Sequence, residues 1–200
     1  MMKLNSLLLA TFLFVGTLAI AQKQEIVFDV VFRDKKVGVL HAQETRSESK
    51  SFKVLRVETK STILFIPIHM ESEVSTTQEN GILIQGTAYR NSSRKSSDVV
   101  ATVTQIESGQ YQRERNGVID KIKNEGITFC VVDLYFQEPI GVIQVFSNMY
   151  AQMLKLERID IGKYQLTTPD KHNSLYTYRN GKLISIEVDT IVGKVLSKRI

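Results

Sequence analysis

Apolar and polar residues alternate along most of this chain with the period of two that a half-buried β-strand requires. Ile26, Phe28, Val30 and Phe32 alternate with Val27, Asp29, Val31 and Arg33, and the charged run Arg33-Asp34-Lys35-Lys36 turns the chain into a second strand over residues 37–45. Residues 47–51 break the pattern. A long third strand spans 52–65, with Leu55, Val57, Thr59, Ser61, Ile63 and Phe65 on one face and Arg56, Glu58, Lys60 and Thr62 on the other. Pro67 cannot donate a ladder hydrogen bond, so it marks a corner, bulge or edge before a strand over 68–77. Glu79-Asn80-Gly81 reads as a hairpin turn into 82–91, and 92–98 as a polar loop. Strands are expected over 99–108 and 110–115, separated by Gly109. Asn116-Gly117 is the strongest short-range hairpin signal, because a type I′ turn needs positive φ at both central residues. Near the C-terminus, 164–168, 174–179 and 182–189 form a meander through turns at 169–173 and Asn180-Gly181, and 191–198 supplies a last strand.

One segment has helical spacing. From Thr128, in N-cap position, Phe129, Val132, Asp133 and Phe136 fall at i, i+3, i+4 and i+7 until Pro139 stops the run. Residues 142–147 either extend that helix or, the preferred reading, form a strand that pairs through a 148–151 turn with 152–159. The expectation is about eleven strands and one short helix, joined by links of hairpin length and therefore antiparallel. Long antiparallel strands with one polar face curl. The expected fold is mainly β, an antiparallel curved sheet closing into a half-barrel or barrel.

The first 21 residues do not belong to this pattern. Lys3, the apolar run from Leu7 to Ala19 and the small residues of Ala19-Ile20-Ala21 follow the order of a cleaved secretory signal. About thirteen helical residues would cover some 20 Å, short of a ~30 Å hydrocarbon core. Cleavage between Ala21 and Gln22 would leave 22–200 as one β-rich domain, periplasmic or secreted, with no transmembrane span. The full chain has a net charge of +5, one charge of which lies in the leader, and its basic residues are mixed with acids as in Arg113-Glu114-Arg115. Nucleic acid is not expected as a partner, because its recognition needs cations clustered on one face. Cys130 is the single cysteine. It cannot form an intramolecular disulfide, so the exported domain relies on its core, and the apolar neighbours Phe129, Val131 and Val132 favour a buried, inert thiol.

Candidate chemistry is sparse. His69, Glu71 and Glu73 share one strand face, and imidazole with carboxylates can bind zinc or a similar ion. The plainer reading is the solvent face of a strand whose other face carries Ile68, Met70 and Val74; His41 and His172 could join only through tertiary contacts. There is no G-x-S-x-G elbow, phosphate-binding glycine loop or dinucleotide fingerprint. No catalytic residue and no cofactor is assigned. Aromatic residues gather in the C-terminal half, and two readings stay open. Tyr135, Phe136, Phe146, Tyr176 and Tyr178 line a concavity that holds an apolar or amphiphilic ligand, or the rings fill the core.

Four stretches carry a family resemblance: Leu134-Tyr135-Phe136-Gln137-Glu138-Pro139, Val145-Phe146-Ser147, Tyr164-Gln165-Leu166-Thr167-Thr168-Pro169-Asp170, and Asn173-Ser174-Leu175-Tyr176-Thr177-Tyr178-Arg179-Asn180-Gly181. Over 122–190 the chain resembles a family of secreted Gram-negative bacterial proteins known as a domain of unknown function. The opening strand, the charged turn and Val37-Gly38 resemble the family's start more loosely. The chain departs from the pattern at Asn148, where an acid is expected, and at Lys171, where glycine is expected. The resemblance implies a periplasmic or secreted antiparallel β domain, distantly similar to half-barrel envelope proteins, and it brings no catalytic residues. The functional expectation is an exported, non-enzymatic envelope protein that binds a lipid or other apolar ligand, or an envelope protein partner. The alternative is an interaction or structural module with a filled core, working through an edge strand or loop. A third reading is a metal-dependent hydrolase built on His69, Glu71 and Glu73.

Overall fold

The computed structural model describes residues 21–63, 66–93, 98–190 and 193–200, and in it the alternating segments form one antiparallel sheet of fourteen strands. The strands are β1 (Gln22–Phe32), β2 (Lys35–Arg46), β3 (Lys50–Ile63), β4 (Ile66–Glu79), β5 (Ile82–Ser92), β6 (Val99–Glu107), β7 (Gln110–Arg115) and β8 (Val118–Lys123), then β9 (Gln144–Ser147), β10 (Gln152–Asp160), β11 (Lys163–Thr167), β12 (Asn173–Arg179), β13 (Lys182–Thr190) and β14 (Gly193–Arg199). Their order is β8-β7-β6-β5-β4-β3-β2-β1-β14-β13-β12-β11-β10-β9. The first and last strands therefore pair in the middle of the sheet, and two meanders run outward from them. The leader expected over 1–21 lies, but for Ala21, outside the described residues. So do the end of the strand expected over 52–65, part of the 92–98 loop and the start of the strand expected over 191–198.

Three Asn-Gly turns take the conformation their sequence demands. Asn80, Asn116 and Asn180 have φ of 50°, 49° and 53°, followed by Gly81, Gly117 and Gly181 at 78°, 81° and 72°, as a type I′ hairpin requires. Lys171, where the family resemblance implies glycine, also sits at positive φ, 62°. Fourteen strands replace the eleven or so expected. The clearest addition is β8, delivered by Asn116-Gly117: five of its six residues are exposed, so its sequence lacks the alternation that marks a half-buried strand. The helix expected from Thr128 contracts to one 3-10 helix, Val131–Tyr135. The β-branched pair Val131-Val132 disfavours a longer α-helix, and the Cys130 N–H donates to the Asp133 carboxylate at 2.6 Å, which starts the helix two residues beyond Phe129. Residues 144–147 form a strand, as preferred.

The two edge strands, β8 and β9, do not pair with each other, so the barrel is not closed. The sheet nevertheless curls until its ends touch through side chains. Arg113 and Arg115 of β7 donate to the carbonyls of Ala151 and Met149 in the β9–β10 turn, at 2.6 and 2.9 Å. Asn148 in the same turn donates to the carbonyls of Ser75 and Thr87 at 2.8 and 3.3 Å, bonds that an ionised acid there could not make.

Residues 124–143 return from β8 to β9 through the concave side. Their backbone is paired with the wall rather than left bare: Leu83 N–H donates to Ile127 O at 2.8 Å, Phe146 N–H to Phe129 O at 2.8 Å and Leu156 N–H to Ile143 O at 2.9 Å. The Ile127 N–H donates to the buried Tyr111 hydroxyl at 3.2 Å. This connector is apolar enough to stay inside. Ile127, Cys130, Val132, Leu134 and Tyr135 join one core with Phe28, Leu40, Leu55, Tyr111, Phe146 and Leu156 from both meanders. Tyr111→Phe should keep the ring packing and leave the Ile127 N–H buried without an acceptor. We expect a loss of about 1–3 kcal/mol, read as a lower denaturation midpoint at unchanged m-value.

Candidate functional site

Four of the five aromatic residues named above lie in the packed interior. Tyr135, Phe146, Tyr176 and Tyr178 are buried. Tyr135 meets Phe28 and Tyr176 edge-on, with centroids 5.8 and 6.3 Å apart, and Tyr164 meets Tyr178 at 5.6 Å. The Tyr178 hydroxyl donates to Leu134 O at 2.5 Å, which ties β12 to the connector. Burial pushes the hydroxyls of Tyr135, Tyr176 and Tyr178 far above the usual phenol range. Phe136, half-buried at the end of the 3-10 helix, lines a groove at the rim.

That rim holds a buried polar network. On β3, Lys53 is in phase with Leu55 and Val57; on β2, Glu44 is in phase with Leu40 and Ala42; on β4, Thr76 and Gln78 are in phase with Val74. All therefore point inward, as their burial shows. Register sets Glu44 beside Lys53, Lys53 beside Thr76, and Ser51 beside Gln78. The Lys53 side chain is 7% exposed, with its ammonium 2.7 Å from Asp133 Oδ1 and 3.5 Å from Glu44 Oε1. It donates to Gln78 Oε1 at 2.7 Å and to Ser51 Oγ at 3.2 Å. Gln78 Nε2 in turn donates to Asp133 Oδ2 at 3.3 Å and to Thr128 O at 3.4 Å. Arg46 donates to Glu44 Oε1 at 2.7 Å. Each buried charge thus has a partner, which offsets part of the cost of taking it out of water.

Two grooves, of about 320 and 310 Å³, open over this network. They share Arg46, Lys53, Asp133 and Gln137. The first is walled by Ser47, Glu48 and Ser49 of the β2–β3 turn, by Lys50 at the start of β3, and by Asn80 and Gly81 of the next turn on that rim. The second is walled by Gln22 and Gln24 of β1, Glu44 and Phe136. The site offers paired charges and side-chain amides, a surface suited to hydrogen bonding rather than to nucleophilic attack. The nearby Cys130 thiol is no nucleophile: it is fully buried, and desolvation pushes it well above its ordinary range. A thiol reagent such as dithionitrobenzoate should leave it untouched in the folded protein and label it at once in denaturant; rapid labelling of the native state would contradict this burial.

This network is hidden in the sequence, since a polar residue in a strand reads as a solvent-facing one. A signal existed in the phase. Glu44, Lys53, Thr76 and Gln78 continue the apolar faces of three consecutive strands, so their faces are inward even where their chemistry is not apolar. On the opposite, outer face, His69 Nε2 lies 2.9 Å from Glu71 Oε1, but Glu73 is held by Arg56 at 2.7 Å. Glu58 is the third member instead: ligand atoms of Glu58, His69 and Glu71 all lie within 4.8 Å of one another. His41 is elsewhere, 3.1 Å from Glu25, and His172 lies in the turn before β12.

Residues 28–199 match the family model described as Domain of unknown function (DUF6134). The match reaches beyond the motifs of the C-terminal half to the first meander, and so takes in Glu44, Lys53, Gln78 and Asp133 together. No curated protein and no solved structure matches the chain.

Proposed function

The chain belongs to the family of this domain of unknown function, DUF6134, and from the geometry we propose that it is an exported, non-enzymatic binding protein whose ligand sits in the rim grooves over Lys53 and Asp133. One observation carries the reading: the buried ionic network lies where the surface is concave, while the remainder of the concave side is packed with aromatic rings and the connector. Placing an ion pair at core-facing positions costs several kcal/mol of desolvation per ion, and apolar residues there would serve stability as well or better. Such a departure from a simple core, beside a groove, supports a binding role. The formal charges of Arg46, Lys53, Glu44 and Asp133 cancel, and Gln22, Gln24 and Gln137 add amide donors and acceptors. A small neutral or zwitterionic ligand rich in hydrogen-bonding groups fits this lining better than an apolar one. Export rests on the leader read over 1–21.

The test is a titration of the isotope-labelled protein with neutral sugars, amino acids and betaines, followed by amide shifts. Saturable changes at Lys53, Gln78 and Gln137 that vanish in Gln137→Ala are the expected result. Changes confined to the surroundings of Tyr176 would return the ligand to the interior.

A second reading, pairing with a protein partner, is favoured by β8. It ends the strand order on one side, and its Val118 and Ile119 are 70% and 60% exposed. An extended segment could add there as a further strand, although Lys121 and Lys123 on the same strand are the charges that guard an edge against such pairing.

A further inference from the structure

We propose that Glu58, His69 and Glu71 form a binding site for a divalent cation of the zinc class on the outer face of the sheet. Register brings the two carboxylates together: Glu58 and Glu71 are direct partners across β3 and β4. Like charges placed directly opposite destabilise a sheet, a cost that the Lys60 ammonium, 2.7 Å from Glu58, now offsets. His69, two residues before Glu71, shares its face, and its Nε2 is already 2.9 Å from a Glu71 oxygen. Its other nitrogen, Nδ1, is buried without a hydrogen-bond partner, so no second bond commits this imidazole to a structural role.

The dimensions suit the proposal. Zinc bonds of about 2.0–2.2 Å in a tetrahedral site put ligand atoms about 3.4 Å apart. The three ligand atoms here lie within 4.8 Å of one another, so they need to close by little more than about 1 Å around such an ion. The Glu58 and Glu71 side chains are 58% and 53% exposed, free enough to turn that far, while the strands beneath hold their origins fixed. One imidazole with two carboxylates favours zinc or manganese over calcium or magnesium, and three protein ligands leave a position for water. The charge now serving Glu58 is the Lys60 ammonium at 2.7 Å, which an entering cation would displace.

The test is calorimetric titration of the purified protein with zinc chloride. One saturable site is expected, weakened more than about tenfold in Glu58→Gln and in His69→Ala, beyond the lower end of what outer-shell changes alone produce. Lys60→Gln, which removes the competing ammonium, should bind more tightly. Glu73→Gln should bind like the parent, because Glu73 is occupied by Arg56, and so should His41→Ala. The substituted side chains are exposed or half-exposed, and unchanged thermal midpoints without metal would confirm folding. Absence of saturable uptake, equal binding by Glu58→Gln, or loss of binding in His41→Ala would each overturn the site. The rim grooves lie on the other face, so neither outcome bears on the ligand proposed there.

Discussion

Lys53→Met should lower the free energy of unfolding by about 3–5 kcal/mol, the range seen when one partner of a buried ion pair is removed. The substitution keeps most of the side-chain volume, so lost packing contributes little. What remains is electrostatic. The Asp133 and Glu44 carboxylates stay in place, each with a side chain 6% exposed, without the ammonium that lies between them, and Gln78 Oε1 loses its donor. Adding Asp133→Leu should recover only part of the loss. The second change removes the stranded charge but also takes the acceptor from the Cys130 N–H, a buried donor whose isolation costs about 1–3 kcal/mol. Chemical denaturation of the two variants and the parent measures both steps. A loss below about 1 kcal/mol for Lys53→Met would mean that the network behaves like a surface ion pair, and the rim site would lose its physical basis.

Phe146→Ala should cost about 3–5 kcal/mol in protein stripped of any ligand, as for other fully buried aromatic rings. Phe146 is 0% exposed, stands on the four-residue strand β9, and pairs its N–H with the connector at Phe129. Deleting its ring would open a void among side chains that cannot collapse freely, because the connector is bonded to β5, β9 and β10 around it. The experiment separates the two readings of the aromatic residues. A ring lining a hollow has few packing partners to lose, so a cost near 1 kcal/mol, regained on adding a lipid or detergent, would restore the interior ligand. A full loss that no amphiphile repairs supports a filled core and a ligand at the rim.

Much of the fold was legible because its signals are local. The period of two in β1 to β7 reflects one buried face, and the Asn-Gly pairs specify positive φ whatever surrounds them. β8 escaped because an edge strand with no buried face carries no alternation. The 3-10 helix was misread as a longer helix because apolar spacing at i, i+3 and i+4 does not distinguish one turn from several. The rim network was illegible for another reason: whether Lys53 meets water or Asp133 depends on a connector some 80 residues away in the chain, and no window of sequence contains both. Glu58 was passed over beside His69 on the same ground, since cross-strand register decided its place.

By itself, then, the chain determined its strands, most of its turns and the antiparallel sense of its pairing, because each rests on backbone preferences and side-chain alternation within a few residues. Tertiary structure alone decided that the sheet curls around its own connector, that a lysine among core positions is paired and buried, and that Glu58 rather than Glu73 completes the cluster at His69. Those outcomes follow from register, which is set by burying the inward faces of all the strands at once.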